Sequence, residues 1–212
     1  MAESSSNSST TLVGYAPISA PPRLGVLVSG RGSNLKALVA AYARGELPAP
    51  VVVVISNRAD AGALEFARAK GIATAHISDQ THEDPGAAML GCLYEHEVDV
   101  LVLAGYLRRV DPRVVLAYTD RSLNIHPAPL PRFGGAGMYG MHVHRAVLDA
   151  EVPLSGPTVH RVTAEYDEGE ILAHQPVPVM PGDDPQTLAA RVLQAEHDLL
   201  WRVVRDRFCP TQ

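Results

Sequence analysis

The chain has 212 residues, 46% hydrophobic and 19% charged, with a net charge of −5 and a pI near 6.0. That length suits one large domain or two small ones and can bury a sizeable core. The acidic balance argues against a general nucleic-acid binder, which needs a basic face for phosphates, but leaves room for one anionic ligand held locally by backbone N–H groups. Cys92 and Cys209 lie far apart, form no metal spacing, and read as reduced thiols of a cytoplasmic protein. No apolar run reaches the ~18 residues needed to span a bilayer. The Ser/Thr-rich stretch 1–22 begins without a basic region or a long apolar core. It reads as a mobile tail rather than a targeting peptide, leaving residues 23–212 as a single domain.

In chain order, RLGVLVSG at 23–30 predicts a short buried strand. RGSNLKALVAAYARG follows, with Leu35, Leu38, Val39 and Tyr42 at helical spacing and Gly45 as a stop. PVVVVISNR is a β-branched run suited to a strand buried on both faces. ADAGALEFARAKG predicts a second helix closed by Gly71, and IATAHIS a short strand. A helix is expected roughly over 82–97, weakened by Pro85 and Gly86, before the strand DVLVLAGY at 99–106. Alternating strands and helices imply right-handed βαβ units in a mostly parallel, Rossmann-like α/β sheet with helices on both faces. PTVHRVTAEYDEG and ILAHQPVPVM predict two antiparallel strands near the C-terminal part, and Asp183 or Asp184 with Pro185 opens a last helix.

Ligands of such sheets bind beyond the carboxyl ends of the strands. Three strand ends therefore matter: SGRGSN, AGYLRR and NIHP. In SGRGSN, Gly30 and Gly32 permit a tight turn, and Ser33 and Asn34 would offer N–H groups to a phosphate at a helix N-terminus. An ordinary Gly-rich turn capped by Ser33 fits equally well. The loop is neither a Walker loop nor a full dinucleotide fingerprint, because Leu35 stands where a third Gly would be.

NIHPAPLP sets Asn124 and His126 on one face of a strand. An amide and an imidazole aimed together suit acyl transfer, with a donor for an oxyanion and a partner for proton movement. The plainer reading is a turn-forming amide and a satisfied histidine. The prolines fix the backbone beyond, and Leu130–Pro131 is a candidate cis peptide. In HRVTAEYDEGE, Glu165, Glu168 and Glu170 read as a solvated acidic hairpin. Asp167 differs from them only if it meets His126, whose imidazolium it would stabilise. His126, His142 and His144 raise the question of a metal, but no set of ligands has firm spacing, and HVHRAV more simply starts a helix.

With these motifs in hand, the chain resembles the folate-dependent formyltransferases over roughly residues 23–207. The resemblance rests on LGVLVSGRGSNLKALV, VVVVISNRADAGALEFARAKGI, DVLVLAGYLRRVDP, LNIHPAPLP, TVHRVTAEYDEGEIL and the late QAEH, taken together in order. It is strongest to the branch that formylates glycinamide ribonucleotide in purine synthesis. It implies 10-formyltetrahydrofolate as co-substrate, no metal, small-molecule partners, no nucleic acid or membrane, and leaves a homodimer open. It further implies that Asn124 and His126 stabilise the oxyanion and that Asp167 pairs with His126. Gly30, Gly32, Ser33 and Asn34 would form the phosphate loop, with Glu196 on the ribose hydroxyls. Leu107, Arg108, Arg109 and Val110, together with Thr163, Ala164, Glu165 and Tyr166, would surround the folate.

Departures from the family pattern are Arg31 in the phosphate loop, Arg109 in a segment otherwise more apolar, and a longer Gly-rich loop, 133–141, expected to act as a mobile lid. His82 matches a folate-tail contact only loosely. A formyltetrahydrofolate hydrolase shares the Asn-His-Asp set, but its usual N-terminal regulatory domain is replaced here by the short tail. A methionyl-tRNA formyltransferase would need a basic C-terminal domain, sugar-nucleotide formyltransferases would not need SGRGSN, and a non-catalytic sensor would not need all three polar residues.

Overall fold

The computed structural model describes residues 21–209. The tail expected over 1–22 therefore falls almost wholly outside the described residues. The first half runs β1 (Leu24–Val28), α1 (Ser33–Ala43), β2 (Val51–Ser56), α2 (Gly62–Ala69), β3 (Ala73–His76), α3 (Pro85–Glu95), β4 (Val100–Leu103), α4 (Pro112–Ala117) and β5 (Ser122–His126). The second half runs α5 (Met141–Asp149), β6 (Leu154–Ser155), β7 (Thr158–Arg161), β8 (Ile171–His174), β9 (Val177–Pro178) and α6 (Pro185–Phe208). β1 to β5 are parallel, and β7 and β8 add antiparallel strands, giving a seven-stranded sheet in the order β3-β2-β1-β4-β5-β7-β8. ILAHQPVPVM, expected as one strand, divides: Pro176 interrupts it, and Val177–Pro178 pairs instead with Leu154–Ser155 in a separate two-stranded sheet.

The strands alternate between two cores. Val26 and Val28 of β1, Val54 of β2 and Val100 and Val102 of β4 face α1 and α6. Leu27, Val53, Ile55, Leu101 and Leu103 face α3 and α4. Both faces are apolar, which is why these strands read as continuous runs rather than alternating ones. Gly45 and Gly71, the two expected helix stops, adopt φ of 74° and 71°, where L side chains are strained.

Two local expectations change. Pro85 does not weaken α3; it occupies the first turn, where its missing N–H is harmless, and Asp84 caps the helix by accepting from the Ala87 N–H at 3.0 Å. α4 was not anticipated. It is six residues long and buries Val114, too little to leave a periodic signal, yet Asp111 and Pro112 form the same cap-and-proline start.

α6 settles which acid caps. Asp184 and Thr187 close a capping box, while Asp183 pairs with Arg191. Leu188, Val192, Ala195, Leu199, Leu200, Val203 and Val204 form its buried stripe. Glu196 lies within that stripe, so the helix carries a carboxylate into the protein beside α1. No helix among the described residues is long and apolar enough to cross a membrane.

Candidate active site

The sheet order reverses at β1, whose neighbours are β2 on one side and β4 on the other, so a crevice opens beyond the carboxyl ends of the central strands. β5 ends at this level and delivers Asn124 and His126. Its antiparallel partner β7 sets His160 directly opposite Asn124 and Thr158 opposite His126. The Asn124 Nδ2 lies 3.0 Å from His160 Nε2. His160 Nδ1 lies 2.8 Å from the Arg161 carbonyl, which can only accept. Nδ1 therefore donates; Nε2 accepts from the Asn124 amide when the ring is neutral and can donate to Asp167 Oδ1 when it is protonated. His160 is buried and belongs to the site, although the sequence reading did not single it out.

Asp167 closes the arrangement. Its Oδ2 stands 3.4 Å from His126 Nδ1 and accepts from the Gly135 N–H at 3.0 Å, while its Oδ1 lies 3.4 Å from both His160 Nε2 and Asn124 Nδ2. Burial pushes this carboxyl up, but the His160 contact, the His126 charge and the Gly135 N–H outweigh it, so its pKa lies below the usual value. His126 Nε2 is 2.7 Å from the Phe133 carbonyl. Burial pulls the imidazole below its ordinary pKa, against Asp167 and the Phe133 carbonyl, which both favour the charged ring. Each ring nitrogen thus faces an acceptor, and protonation at this position would place a cation where a carboxylate already waits. Leu130–Pro131 is cis, as its sequence context suggested.

At the other end of the cleft, Asn34 Nδ2 donates to Glu196 Oε2 at 2.6 Å. Burial pushes the Glu196 carboxyl up to about 7, with the Asn34 bond opposing. Asn34 Oδ1 is buried and has no hydrogen-bond partner among the described residues. α1 is capped by Gly32, not by Ser33, and no side chain bonds to its first N–H groups. An uncapped helix N-terminus of this kind suits an anion.

A cleft of about 380 Å³ joins these parts. Asn124, His126 and Asp167 line it together with Asn34 and Glu196. Leu107–Val110 form one wall, Thr163–Tyr166 another, and Gly135–Gly140 of the long loop a third. Gly30, Gly32 and Ser33 are not in its lining, and neither is His82, which sits 2.9 Å from Thr81. Arg31 is exposed beside the loop. A larger cleft, about 940 Å³, lies beyond β2 and β3 and shares Tyr106, Arg108 and Arg109 with the first. It contains none of the Asn-His-Asp set.

The histidines of HVH part company. His144 is buried in α5, where burial first and the His126 charge second push its pKa down to about 4. His142 packs edge-on to Tyr139 with ring centroids 5.8 Å apart. Among the described residues no group of three or more His, Cys, Asp or Glu is placed to hold a metal ion.

The family model for formyl transferase matches residues 22–204. The chain belongs to the formyl transferase family. It is 41% identical over 187 residues to the chloroplastic phosphoribosylglycinamide formyltransferase of Arabidopsis thaliana, covering 86% of this chain but 64% of that relative's length. It is 39% identical over 175 residues to the phosphoribosylglycinamide formyltransferase of Escherichia coli, covering 81% of this chain and 80% of the relative. The crystal structure of glycinamide ribonucleotide transformylase 1 from Symbiobacterium toebii superposes with a TM-score of 0.81 at 40% identity, over 87% of this chain and 86% of that one. A formyl transferase assignment and the mixed sheet with antiparallel strands beyond β5 therefore agree with one another.

Proposed function

We propose that the chain transfers a formyl group from 10-formyltetrahydrofolate to the amine of glycinamide ribonucleotide. The observation that carries this reading is the convergence of Asn124, His126 and Asp167 in one cleft with the Asn34–Glu196 pair. The N-terminal half serves the ribonucleotide: the uncapped N–H groups of α1 suit its phosphate, and Glu196 suits the hydroxyls of its sugar. The C-terminal half serves the folate, between Leu107–Val110 and Thr163–Tyr166.

The amine nitrogen attacks the formyl carbon, and the carbonyl π pair moves to oxygen. An Asn124 amide carries two hydrogens; one is committed toward His160 and Asp167, and the other serves the oxyanion. His126, whose burial disfavours the charged ring at rest, adds charge beside that oxygen when it takes up the amine proton, balanced by Asp167. The proton lost by the amine passes to N10 of the folate, the carbon–N10 bond breaks, and formylated ribonucleotide and tetrahydrofolate leave. Preorganised donors of this kind contribute a few kcal/mol to the transition state, about 3 for one donor.

Folate absorbance, followed with and without glycinamide ribonucleotide, tests the reading. Formyl release is expected only when the ribonucleotide is present. Equal release without it would make the chain a hydrolase, and no release in either case would remove the catalytic reading.

A further inference from the structure

Arg108 and Arg109 sit on the wall Leu107–Val110, and their guanidinium groups go opposite ways. Arg108 pairs with Asp79, before α3. Arg109 reaches the segment after β7, where its Nε donates to the Ala164 carbonyl at 2.7 Å and its Nη2 pairs with Glu165. Thr163 bonds within its own segment, to the Glu165 carbonyl at 3.1 Å. Among the described residues, the two bonds from Arg109 are the only hydrogen bonds that join residues 163–166 to another part of the chain.

That segment ends at Asp167, whose φ of 58° puts it in the left-handed region. Such a conformation persists only where the surroundings hold it. On its far side Asp167 is fixed by His126, His160 and Gly135. On its near side, among the described residues, Arg109 makes the hydrogen bonds that tie residues 163–166 to the rest of the protein. The four residues line the same cleft as Leu107–Val110, so the same guanidinium ties two parts of its lining together.

We propose that Arg109 is a positioning residue: it straps segment 163–166 to segment 107–110, fixing these two parts of the cleft lining and the approach of Asp167 to His126. The inference rests on the reading of this cleft as the folate site. Arg109 acts here through segment 163–166, to which its Nε and Nη2 are committed, and this role does not require it to touch the co-substrate. Two side chains about half exposed, at 53% and 59%, form this pair, so its contribution is small, salt-sensitive and confined to the cleft.

Two measurements on the whole protein test the strap. The first is hydrogen–deuterium exchange of peptides covering 163–167, without substrates. Arg109→Ala is expected to speed exchange there and to leave β1 and β2 unchanged. The second is steady-state kinetics. Arg109→Ala is expected to raise the KM for 10-formyltetrahydrofolate about fivefold, the equivalent of about 1 kcal/mol, with the KM for the ribonucleotide unchanged. Glu165→Gln, which keeps the bond to the Ala164 carbonyl, is expected to give a smaller rise and to abolish the increase of folate KM with salt. Unchanged exchange in Arg109→Ala overturns the strap. Faster exchange with both KM values unchanged, or raised equally, also overturns it. A wild type inert toward the folate defeats the proposed function instead, and the exchange experiment still decides whether Arg109 holds the wall.

Discussion

The carboxamide of Asn34 donates to the Glu196 carboxylate at 2.6 Å across 162 positions of sequence, joining the first turn of α1 to the middle of α6. The pair is buried, and the amide oxygen faces no partner among the described residues. A carboxylate and a carbonyl side by side, with one bond between the two residues, form a site rich in acceptors. Vicinal hydroxyls are the complement.

Glu196 gives that idea a pH signature. Burial pushes its carboxyl up to about 7, well above the ordinary carboxyl range. The folded state therefore holds the proton more tightly than the unfolded chain. The stability this group contributes is fully present below the unfolded value and is lost as pH rises through the folded one. Between pH 5 and 8 the wild type is expected to lose about 3 kcal/mol more than Glu196→Gln, measured by urea unfolding without ligand. Sugar hydroxyls donating to the carboxylate would lower its pKa, so ribonucleotide binding near pH 7 should release protons. Calorimetry in buffers of different ionisation enthalpy reads that release. Its absence in wild type would remove Glu196 from the ribose site.

Asp167→Asn separates charge from shape. The amide fills the same space, and Asn tolerates the φ of 58° found at this position. Only the negative charge facing His126 and His160 is lost. Formyl transfer is expected to fall by roughly 100-fold or more, with the melting temperature nearly unchanged. His126→Ala is expected to fall at least as far. If Asp167→Asn kept most of the wild-type kcat, the carboxylate would be structural and the Asn-His-Asp reading wrong.

The sequence made some of this legible and hid the rest for physical reasons. β1, β2 and β4 are buried on both faces, so their apolar runs are unbroken. Asn124 and His126 could be read because a two-residue spacing on a strand means one face. Asp167 needed the family resemblance, since three glutamates around it carry the same charge. His160 carries no motif of its own in the sequence. Its contact with Asn124 exists only because β7 pairs with β5 in that register, and register is a tertiary fact. Arg109 was recognised as a departure from the family pattern, but its partner lies 55 or more residues away on another loop.

His144 should report on acid stability. It is buried, its Nδ1 has no partner among the described residues, and burial pushes its pKa down to about 4, well below that of an ordinary histidine. Here the folded state resists protonation. The stabilising contribution is present above about 6.5 and is lost as pH falls through about 4. His144→Gln cannot ionise. The wild type is expected to lose about 3 kcal/mol more than this variant between pH 7 and pH 4. Parallel stability curves over that range would show that His144 does not titrate as its burial implies.

The two glycines of SGRGSN make opposite predictions. Gly32 has φ of 73°, and an added Cβ would lie 2.6 Å from the Ala63 Cβ and 3.1 Å from the Ala63 Cα in α2. The obstacle includes helix backbone, which cannot swing aside. Gly32→Ala therefore adds left-handed strain to overpacking, about 2–4 kcal/mol together, and should lower the melting temperature by roughly 5–10 °C. Gly30 has no atom within 4 Å of the same position and no positive φ. Gly30→Ala is expected to melt within about 2 °C of wild type, because a surface change without strain is worth at most about 0.5 kcal/mol. Should Gly30→Ala nevertheless weaken ribonucleotide binding, the empty space at Gly30 belongs to the phosphate. If both variants bound and melted alike, the turn would not depend on the backbone conformation that seats α1 against α2.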